Sequence, residues 1–218
     1  SALSISVPGD ITLDLNGHTL SYSKNYAAVS YNGTGVLTIQ DSSTGQTGGV
    51  TSTYSGSNPA YAVRVFGHGV AVVTGGTFTS TSSTSPTMVA NSATLKISGG
   101  TFVNNGAGAA VGVDHSLVNY TAGHAVITGG NFSSDVSSYC AVGYYTAKGD
   151  GSYYTLKPLT ADNAAVSVTT AEGATAYYGG IQNAIDAADG GAAVKLLKDV
   201  SLATLVEISG DKNFTLDL

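Results

Sequence analysis

The sequence predicts a mainly β protein, a right-handed parallel β-helix followed by a small C-terminal α/β segment with one short helix. The motifs VVTGGTF, KISGGTF and VITGGNF begin at Val72, Lys96 and Val126. Each ends a hydrophobic strand at a Gly-Gly corner, which a small polar residue and a Phe follow. A recurring strand pattern with loops of variable length is typical of a solenoid. A jelly roll or sandwich is the alternative, although neither needs one corner motif at successive turns.

Each coil is expected to run strand, short turn, strand, corner. Strand residues two apart share a face, so valines of the first strand should form one inward column. That column is Val29, Val63, Val89, Val111 and Val142. The second strands are marked by Ile39, Val73, Ile97, Ile127 and Leu156. Phe78, Phe102 and Phe132 should stack behind the corners. The right-handed turn of the helix is expected from the rule for parallel crossovers.

The chain divides by pattern into coils over residues 1–159 and a linker or cap over residues 160–218. The second part begins with two short strand patterns and continues into an amphipathic helix within residues 180–189. Its apolar stripe is Ile181, Ala184, Ile185 and Ala188. This i, i+3, i+4, i+7 spacing is that of one helix face, and Gly190 and Gly191 should end the helix. A further strand follows.

One four-residue sequence, Thr-Leu-Asp-Leu, occurs twice. The copies start at Thr12 and Thr215, which lie 203 residues apart. Because that spacing nearly equals the length of 218 residues, the sequence is predicted to be one period of a tandem array. Neighbouring repeats of the same chain are then expected partners. The last strand, over residues 214–218, should pair beside the strand before it.

These motifs together resemble a known group of proteins. The runs from Gly129, from Tyr177 and from Leu13 are similar to tandem β-helical modules of cell-surface and secreted proteins from gut Firmicutes. In those modules a helix-bearing segment leads into a Thr-Leu-Asp-Leu-Asn-Gly strand and turn, followed by coils with Gly-Gly corners. The resemblance covers nearly all the chain, in permuted order. It implies an extracellular setting, at the bacterial surface or secreted, and an adhesin-like role in host interaction.

Composition excludes some classes of function. Only 10% of residues are charged, against about 25% in ordinary globular proteins. The net charge is −6, and the eight Lys and Arg residues are too scattered for the basic patch of a nucleic-acid-binding protein. No apolar run approaches the roughly 18 residues of a membrane span, so membrane insertion is not expected.

The enzyme alternative is a β-helical polysaccharide lyase or glycoside hydrolase, and it depends on His68. The Gly-His-Gly sequence around it resembles one element of the polygalacturonase active site. Inverting hydrolysis needs two carboxyl groups that flank the bond, yet no Asp lies between Asp41 and Asp114. The four His residues lack the paired spacing of a zinc site, and no nucleotide-binding motif occurs. We therefore expect no catalytic residue, no metal and no cofactor.

Tyrosine is the best indication of function, with 13 copies against 5 Phe. Tyrosine offers large contact area at low entropic cost and is enriched at binding surfaces. The candidate binding residues are Tyr22, Tyr26, Tyr54, Tyr61, Arg64 and His68. The sequence thus favours a non-catalytic module that binds a host macromolecule, either a mucin-type glycan or a glycoprotein such as secreted immunoglobulin. A passive stalk spacer is a further alternative.

Overall fold

The chain folds as a parallel β-solenoid with one short helix, as the sequence predicts. The computed structural model describes residues 2–114, 124–202, 205–208 and 210–218. Contacts divide these residues into two compact units. Unit 1 comprises residues 1–139 and 147–155, and unit 2 comprises residues 140–146 and 156–218. The predicted division at residue 159 remains a prediction.

Unit 1 contains five successive coils, each built from three strands. Coil 1 contains β1 (Leu3–Ile5), β2 (Ile11–Asp14) and β3 (Thr19–Tyr22). Coil 2 contains β4 (Tyr26–Tyr31), β5 (Val36–Gln40) and β6 (Gly49–Ser52). Coil 3 contains β7 (Ala60–Phe66), β8 (Val70–Val73) and β9 (Thr77–Ser80). Coil 4 contains β10 (Met88–Asn91), β11 (Thr94–Ile97) and β12 (Thr101–Asn104). Coil 5 contains β13 (Val111–Asp114), β14 (His124–Ile127) and β15 (Asn131–Phe132).

Equivalent strands of successive coils pair in parallel and form three sheets. Sheet A has the order β1-β4-β7-β10-β13, and sheet B has the order β14-β11-β8-β5-β2. Sheet C runs from β3 through β6, β9 and β12 to β15. It continues with β17 (Tyr154–Pro158), antiparallel to β15, and then with β16 (Tyr144–Lys148). A short 3₁₀ helix spans Ser137–Tyr139.

The three phenylalanines form the predicted stack inside sheet C. The ring centroids of Phe78 and Phe102 lie 5.0 Å apart, and those of Phe102 and Phe132 lie 5.2 Å apart. Both pairs are 11° from coplanar, and all three side chains are fully buried. Because each phenylalanine sits in a third strand of its coil, the strand-turn-strand-corner description lacked one strand. The Gly-Gly pair is the corner between sheets B and C, not the end of the coil.

The two glycines of a corner have different roles. Gly100, the second of its pair, has a φ of +96°, a conformation that side chains rarely adopt. Gly99, the first, has no room for a side chain, because a Cβ there would lie 2.3 Å from the carbonyl oxygen of Thr74 in the preceding coil. The corner motif therefore recurs because adjacent coils approach within backbone contact there.

The predicted inward column is only partly right. Val29 pairs in register with Val63, but Val63 pairs with Met88, so Met88 faces inward and Val89 faces outward. The carbonyl of Thr87 accepts hydrogen bonds from the amides of both Ala62 (2.8 Å) and Val63 (3.3 Å), which marks an irregularity in the ladder. A shift of one residue reverses the face of a strand residue.

Two expectations beyond coil 5 are wrong. Val142 is 60% exposed and precedes β16, so it belongs to no inward column. Leu156 lies in β17, which runs antiparallel to β15 and does not repeat the parallel coil. In the described residues, the parallel repeat therefore runs from coil 1 to coil 5. Beyond coil 5, the antiparallel strand β17 extends sheet C.

Unit 2 contains one helix packed on a four-stranded sheet, sheet D. The helix α1 spans Ile181–Ala187, and the strands are β18 (Val166–Thr169), β19 (Thr175–Tyr178), β20 (Ala192–Leu196) and β21 (Phe214–Asp217). The sheet order is β19-β18-β20-β21, with β20 and β21 parallel. Ala184 and Ile185 are buried, as the amphipathic stripe predicts. The last strand pairs beside the strand before it, as expected.

No helix among the described residues is long and apolar enough to cross a membrane.

Candidate functional site

Sheet A has an outer surface on which two predicted binding residues meet. Arg64 projects from β7, and its guanidinium carbon lies 4.8 Å from the ring centroid of Tyr26 and 4.9 Å from that of Phe66. The Arg64 Nε donates a hydrogen bond to Asn91 Oδ1 at 3.1 Å, and Nη1 donates to the Tyr26 hydroxyl. We refer to Tyr26, Arg64, Phe66 and Asn91 as the Arg64 cluster.

Strand register explains how these residues meet. Phe66 is two residues beyond Arg64 on the same strand, so both lie on one face. Asn91 of the next coil is the in-register partner of Phe66. Tyr26 begins the strand of the preceding coil, and its φ of +87° is unusual for a residue with a bulky side chain. Strained backbone of this kind is concentrated at functional sites.

Arg64 keeps hydrogen-bonding capacity within the cluster. A guanidinium has five N–H donors, and two of them bind Asn91 and Tyr26. The other three make no hydrogen bond to the described residues. The planar fork matches a carboxylate, which it can hold through two parallel hydrogen bonds. Stacking between two rings holds that fork in place, and cation–π contacts of this kind contribute about 0.5–2 kcal/mol.

A second polar group lies beside Arg64. Ser30 is the in-register partner of Arg64 on β4 and is only 5% exposed. Its hydroxyl finds no hydrogen-bond partner among the described residues. A buried hydroxyl without a partner is costly, but the Ser30 oxygen is shielded from solvent and so lies beneath the binding surface. The outer surface of sheet A therefore offers a charged donor and two aromatic rings.

The other predicted tyrosines are used differently. Tyr61 is 9% exposed and packs against Ala27 and Val89, so little of its ring is open to a ligand. Tyr54 folds over its own loop, where its hydroxyl accepts a hydrogen bond from Asn58 Nδ2 at 3.4 Å. Tyr22 ends β3 in coil 1 and is half-buried. The structure does not bring Tyr22 or Tyr54 into the Arg64 cluster.

His68 lies in an exposed turn between β7 and β8. A Cβ on Gly67 would lie 2.6 Å from Asn32 Oδ1, and one on Gly69 would lie 2.5 Å from the carbonyl oxygen of Gly33. Both glycines of the Gly-His-Gly sequence are thus explained by close contact with the preceding coil. That packing accounts for the motif without any catalytic role for His68.

Asp41 is a buried carboxylate that sequence reasoning missed. It is 5% exposed and accepts hydrogen bonds from the amides of Gly17 (2.8 Å), Ser43 (3.2 Å) and Gly48 (2.6 Å). Burial raises the pKa of the Asp41 carboxyl, but the hydrogen bonds from Gly17, Ser43 and Gly48 outweigh burial and lower it. Asp41 is therefore ionised, and its carboxylate links coil 1 to coil 2 through these hydrogen bonds.

Asp14 also links coils 1 and 2 through hydrogen bonds, but its side chain is exposed. It accepts hydrogen bonds from Gln40 Nε2 and from the Ser42 amide, each at 3.0 Å. The Gln40 side chain, followed by Ser42, lowers the Asp14 pKa from its ordinary value of 3.8 to about 2. Across the described ranges, no three His, Cys, Asp or Glu side chains come together as metal ligands would. Asp14 and Asp41 each bind backbone amides of a neighbouring coil and so fasten coils 1 and 2 together.

A shallow polar groove of about 350 Å³ follows the Gly-Gly corners. Its floor is glycine backbone of successive coils, and its sides carry uncharged groups. Asn131 Nδ2, for example, donates a hydrogen bond to Thr101 Oγ1 at 3.3 Å. The glycine floor is explained by the close approach of coils at the corner, as at Gly99. The Arg64 cluster is therefore the better candidate for specific recognition.

Comparisons of the chain with protein-family models, with curated proteins and with solved structures find no match.

Proposed function

We propose that this chain is a non-catalytic binding module of a bacterial surface or secreted protein, and that it recognises an acidic glycan of a host glycoprotein. The observation that carries the proposal is the Arg64 cluster, in which the only arginine of the chain is stacked between two aromatic rings on the outer surface of sheet A. The parallel solenoid supplies a rigid support for that surface.

The ligand chemistry follows from the groups present. The free edge of the Arg64 guanidinium suits a carboxylate, because that pairing is planar and takes two hydrogen bonds. Tyr26 and Phe66 offer apolar ring surface against which a sugar can pack. One arginine implies one carboxylate per binding event.

The net charge of the chain further restricts the class of acidic ligand that it can bind. At a net charge of −6, the chain repels long polyanions such as nucleic acids or heavily sulfated chains. An oligosaccharide whose only charge is a single terminal carboxylate avoids most of that repulsion. Sialylated mucin-type glycans, and the sialylated glycans of immunoglobulins, meet this description.

The test is binding of the intact chain to matched saccharides. We expect calorimetry to detect 3′-sialyllactose and to detect no binding of lactose, which lacks the carboxylate. Arg64→Met should weaken binding at least tenfold, since hydrogen bonds to a charged group contribute about 1.5–3 kcal/mol. His68→Ala, outside the cluster, should bind as the unmodified chain does.

Three outcomes would overturn the proposal. Equal binding of sialyllactose by the Arg64→Met variant would remove the cluster from recognition. Failure of the chain to retain both sialylated mucin and secreted immunoglobulin would favour the spacer alternative. Release of reducing ends from a polysaccharide, abolished by His68→Ala, would favour the enzyme alternative.

A further inference from the structure

The stretch from Gly210 to Leu218 repeats part of coil 1. It reads Gly-Asp-Lys-Asn-Phe-Thr-Leu-Asp-Leu, and residues 9–15 read Gly-Asp-Ile-Thr-Leu-Asp-Leu. The alignment needs one insertion of two residues. It extends upstream, where Ile208 corresponds to Val7. The similarity therefore covers more than the four identical residues at 12–15 and 215–218.

The two copies differ sharply in burial. Leu15 in coil 1 is 4% exposed, whereas Leu218 is 84% exposed. Leu15 is buried because it lies against the next two coils: a Cβ on Gly48 would be 2.7 Å from Leu15 Cβ, and one on Gly76 would be 2.6 Å from Leu15 Cδ1. Leu218, the equivalent residue of the segment 210–218, is exposed and is not covered by coils in this way.

The two similar segments, residues 9–15 and 210–218, each contain an edge strand of a sheet. Each of these strands leaves one edge unpaired among the described residues. Among the described residues, β2 is the outermost strand of sheet B and pairs only with β5, with Thr12 opposite Thr38 and Leu13 opposite Ile39. Within the same part of the chain, β21 is the outermost strand of sheet D and pairs only with β20. The Leu15 amide donates to the Gln40 carbonyl of β5, whereas the Asn213 carbonyl accepts from the amide of Gly191, next to β20. Backbone groups of successive strand residues point to opposite sides, so Thr215 points towards β20 while its equivalent, Thr12, points away from β5. β20 therefore stands on the side of β21 that is open in β2.

We propose that residues 210–218 form part of the first coil of a solenoid supplied by a second copy of this chain. The open edge of β21 accepts the second copy's β5 in the register that β2 shows with β5. Leu216 then lies opposite the second copy's Ile39, and Leu218 packs against that copy's Gly48 and Gly76. Sheet D of one copy and sheet B of the next become one continuous sheet, which is parallel from β20 through β21 into the second copy's β5. The joint does not depend on the Arg64 cluster.

The side chains of β21 suit this arrangement. Asp217 takes the position of Asp14, whose carboxylate binds Gln40 Nε2 and the Ser42 amide across the coil boundary. Its present partner is Lys195 at 3.6 Å, in a salt bridge where both side chains are more than half exposed. Exposed ion pairs of this kind contribute little, so the exchange is inexpensive.

A two-copy protein tests the proposal. In it, Leu218 is followed directly by residues 16–218 of a second copy, so that the shared Thr-Leu-Asp-Leu occurs once at the joint. Cys140 is replaced by Ser in both copies, and Thr215 of the first copy and Thr38 of the second are changed to Cys. Paired parallel strands lie about 4.8 Å apart, within the range that a disulfide bridges. Oxidation should therefore cross-link these two positions.

The matched control places both cysteines in the first copy, at Thr215 and Thr38. We expect no cross-link there, because the β5 of the first copy is covered by its own β2. Equal cross-linking in both proteins, or none in the test pair when both copies are folded by circular dichroism, would refute the proposed joint.

A substitution gives a second, independent readout. Leu218→Ala should leave the Tm of the 218-residue chain unchanged within about 1 °C, since the side chain is 84% exposed. The same substitution at the joint of the two-copy protein should lower the Tm of the second copy by roughly 5–10 °C, because it would remove a buried leucine. Equal Tm shifts in the two proteins would contradict the proposal.

Discussion

The phenylalanine stack allows a quantitative test of the solenoid core. Phe102 is fully buried and stacks on two rings, at centroid distances of 5.0 and 5.2 Å. Replacement of a buried Phe by Ala costs about 3–5 kcal/mol through lost burial and the cavity left behind. Each aromatic pair adds about 0.5–1.5 kcal/mol beyond burial. Phe102→Ala should therefore reduce the free energy of unfolding by roughly 4–8 kcal/mol.

Phe102→Leu separates the two contributions. It keeps most of the apolar volume and loses both ring contacts, so we expect a loss of about 1–3 kcal/mol. Urea denaturation monitored by circular dichroism measures both variants against the unmodified chain, with the slope of the unfolding transition checked for constancy. A loss below about 1 kcal/mol for Phe102→Ala would refute the reasoning, because a fully buried, doubly stacked ring cannot be removed so cheaply.

Three further predictions concern the corners, acid stability and the helix. Gly99→Ala should destabilise unit 1 by more than about 1 kcal/mol, the usual difference between Gly and Ala at an exposed helix position. The reason is that the new Cβ would lie 2.3 Å from a carbonyl oxygen. Gly151→Ala, which has open space around it, is the control, and equal urea midpoints for the two variants would contradict the prediction. Since the Asp14 pKa is lowered from 3.8 to about 2, its stabilisation should be complete above about pH 4 and lost as the pH falls towards 2; Asp14→Asn should flatten that part of the Tm–pH curve, and an unchanged curve would argue against it. Ile185→Ala should destabilise unit 2 by about 2–5 kcal/mol, because Ile185 is 1% exposed, and a near-neutral result by thermal denaturation would contradict the burial of that side chain.

The solenoid was predictable from sequence because its periodic signal is local. Coils 3, 4 and 5 repeat the same hydrophobic strand, the same Gly-Gly pair and the same Phe, and the stack of Phe78, Phe102 and Phe132 follows from that repetition. The third strand of each coil was missed because the glycines suggested the end of a coil. In physical terms, glycine marks a turn in the chain but does not say how much strand follows it.

Register was the least predictable feature. The irregular ladder at Thr87 makes Met88, and not Val89, the partner of Val63. Loops of different length separate the coils, so the sequence alone does not fix which residues of adjacent strands lie opposite one another. A one-residue error of this kind exchanges the core for the surface.

The candidate site was only partly predictable, because it depends on the register between coils as well as on residue type. Tyr26 and Arg64 were expected from residue type, since aromatic and arginine side chains are common at binding surfaces. Phe66 and Asn91 were missed because they join the cluster through pairing between coils 3 and 4. The buried Asp41 had no sequence signal beyond the turn residues around it.

The most direct test of acidic-glycan recognition is an NMR titration of the intact chain with 3′-sialyllactose, observing side-chain N–H signals. If the Arg64 cluster binds the carboxylate, the Arg64 Nε–H signal and the Asn91 side-chain amide should shift with saturation, and the Asn131 amide in the corner groove should not. Lactose should shift none of them. A saturable shift at Asn131 with Arg64 unchanged would contradict the proposed function.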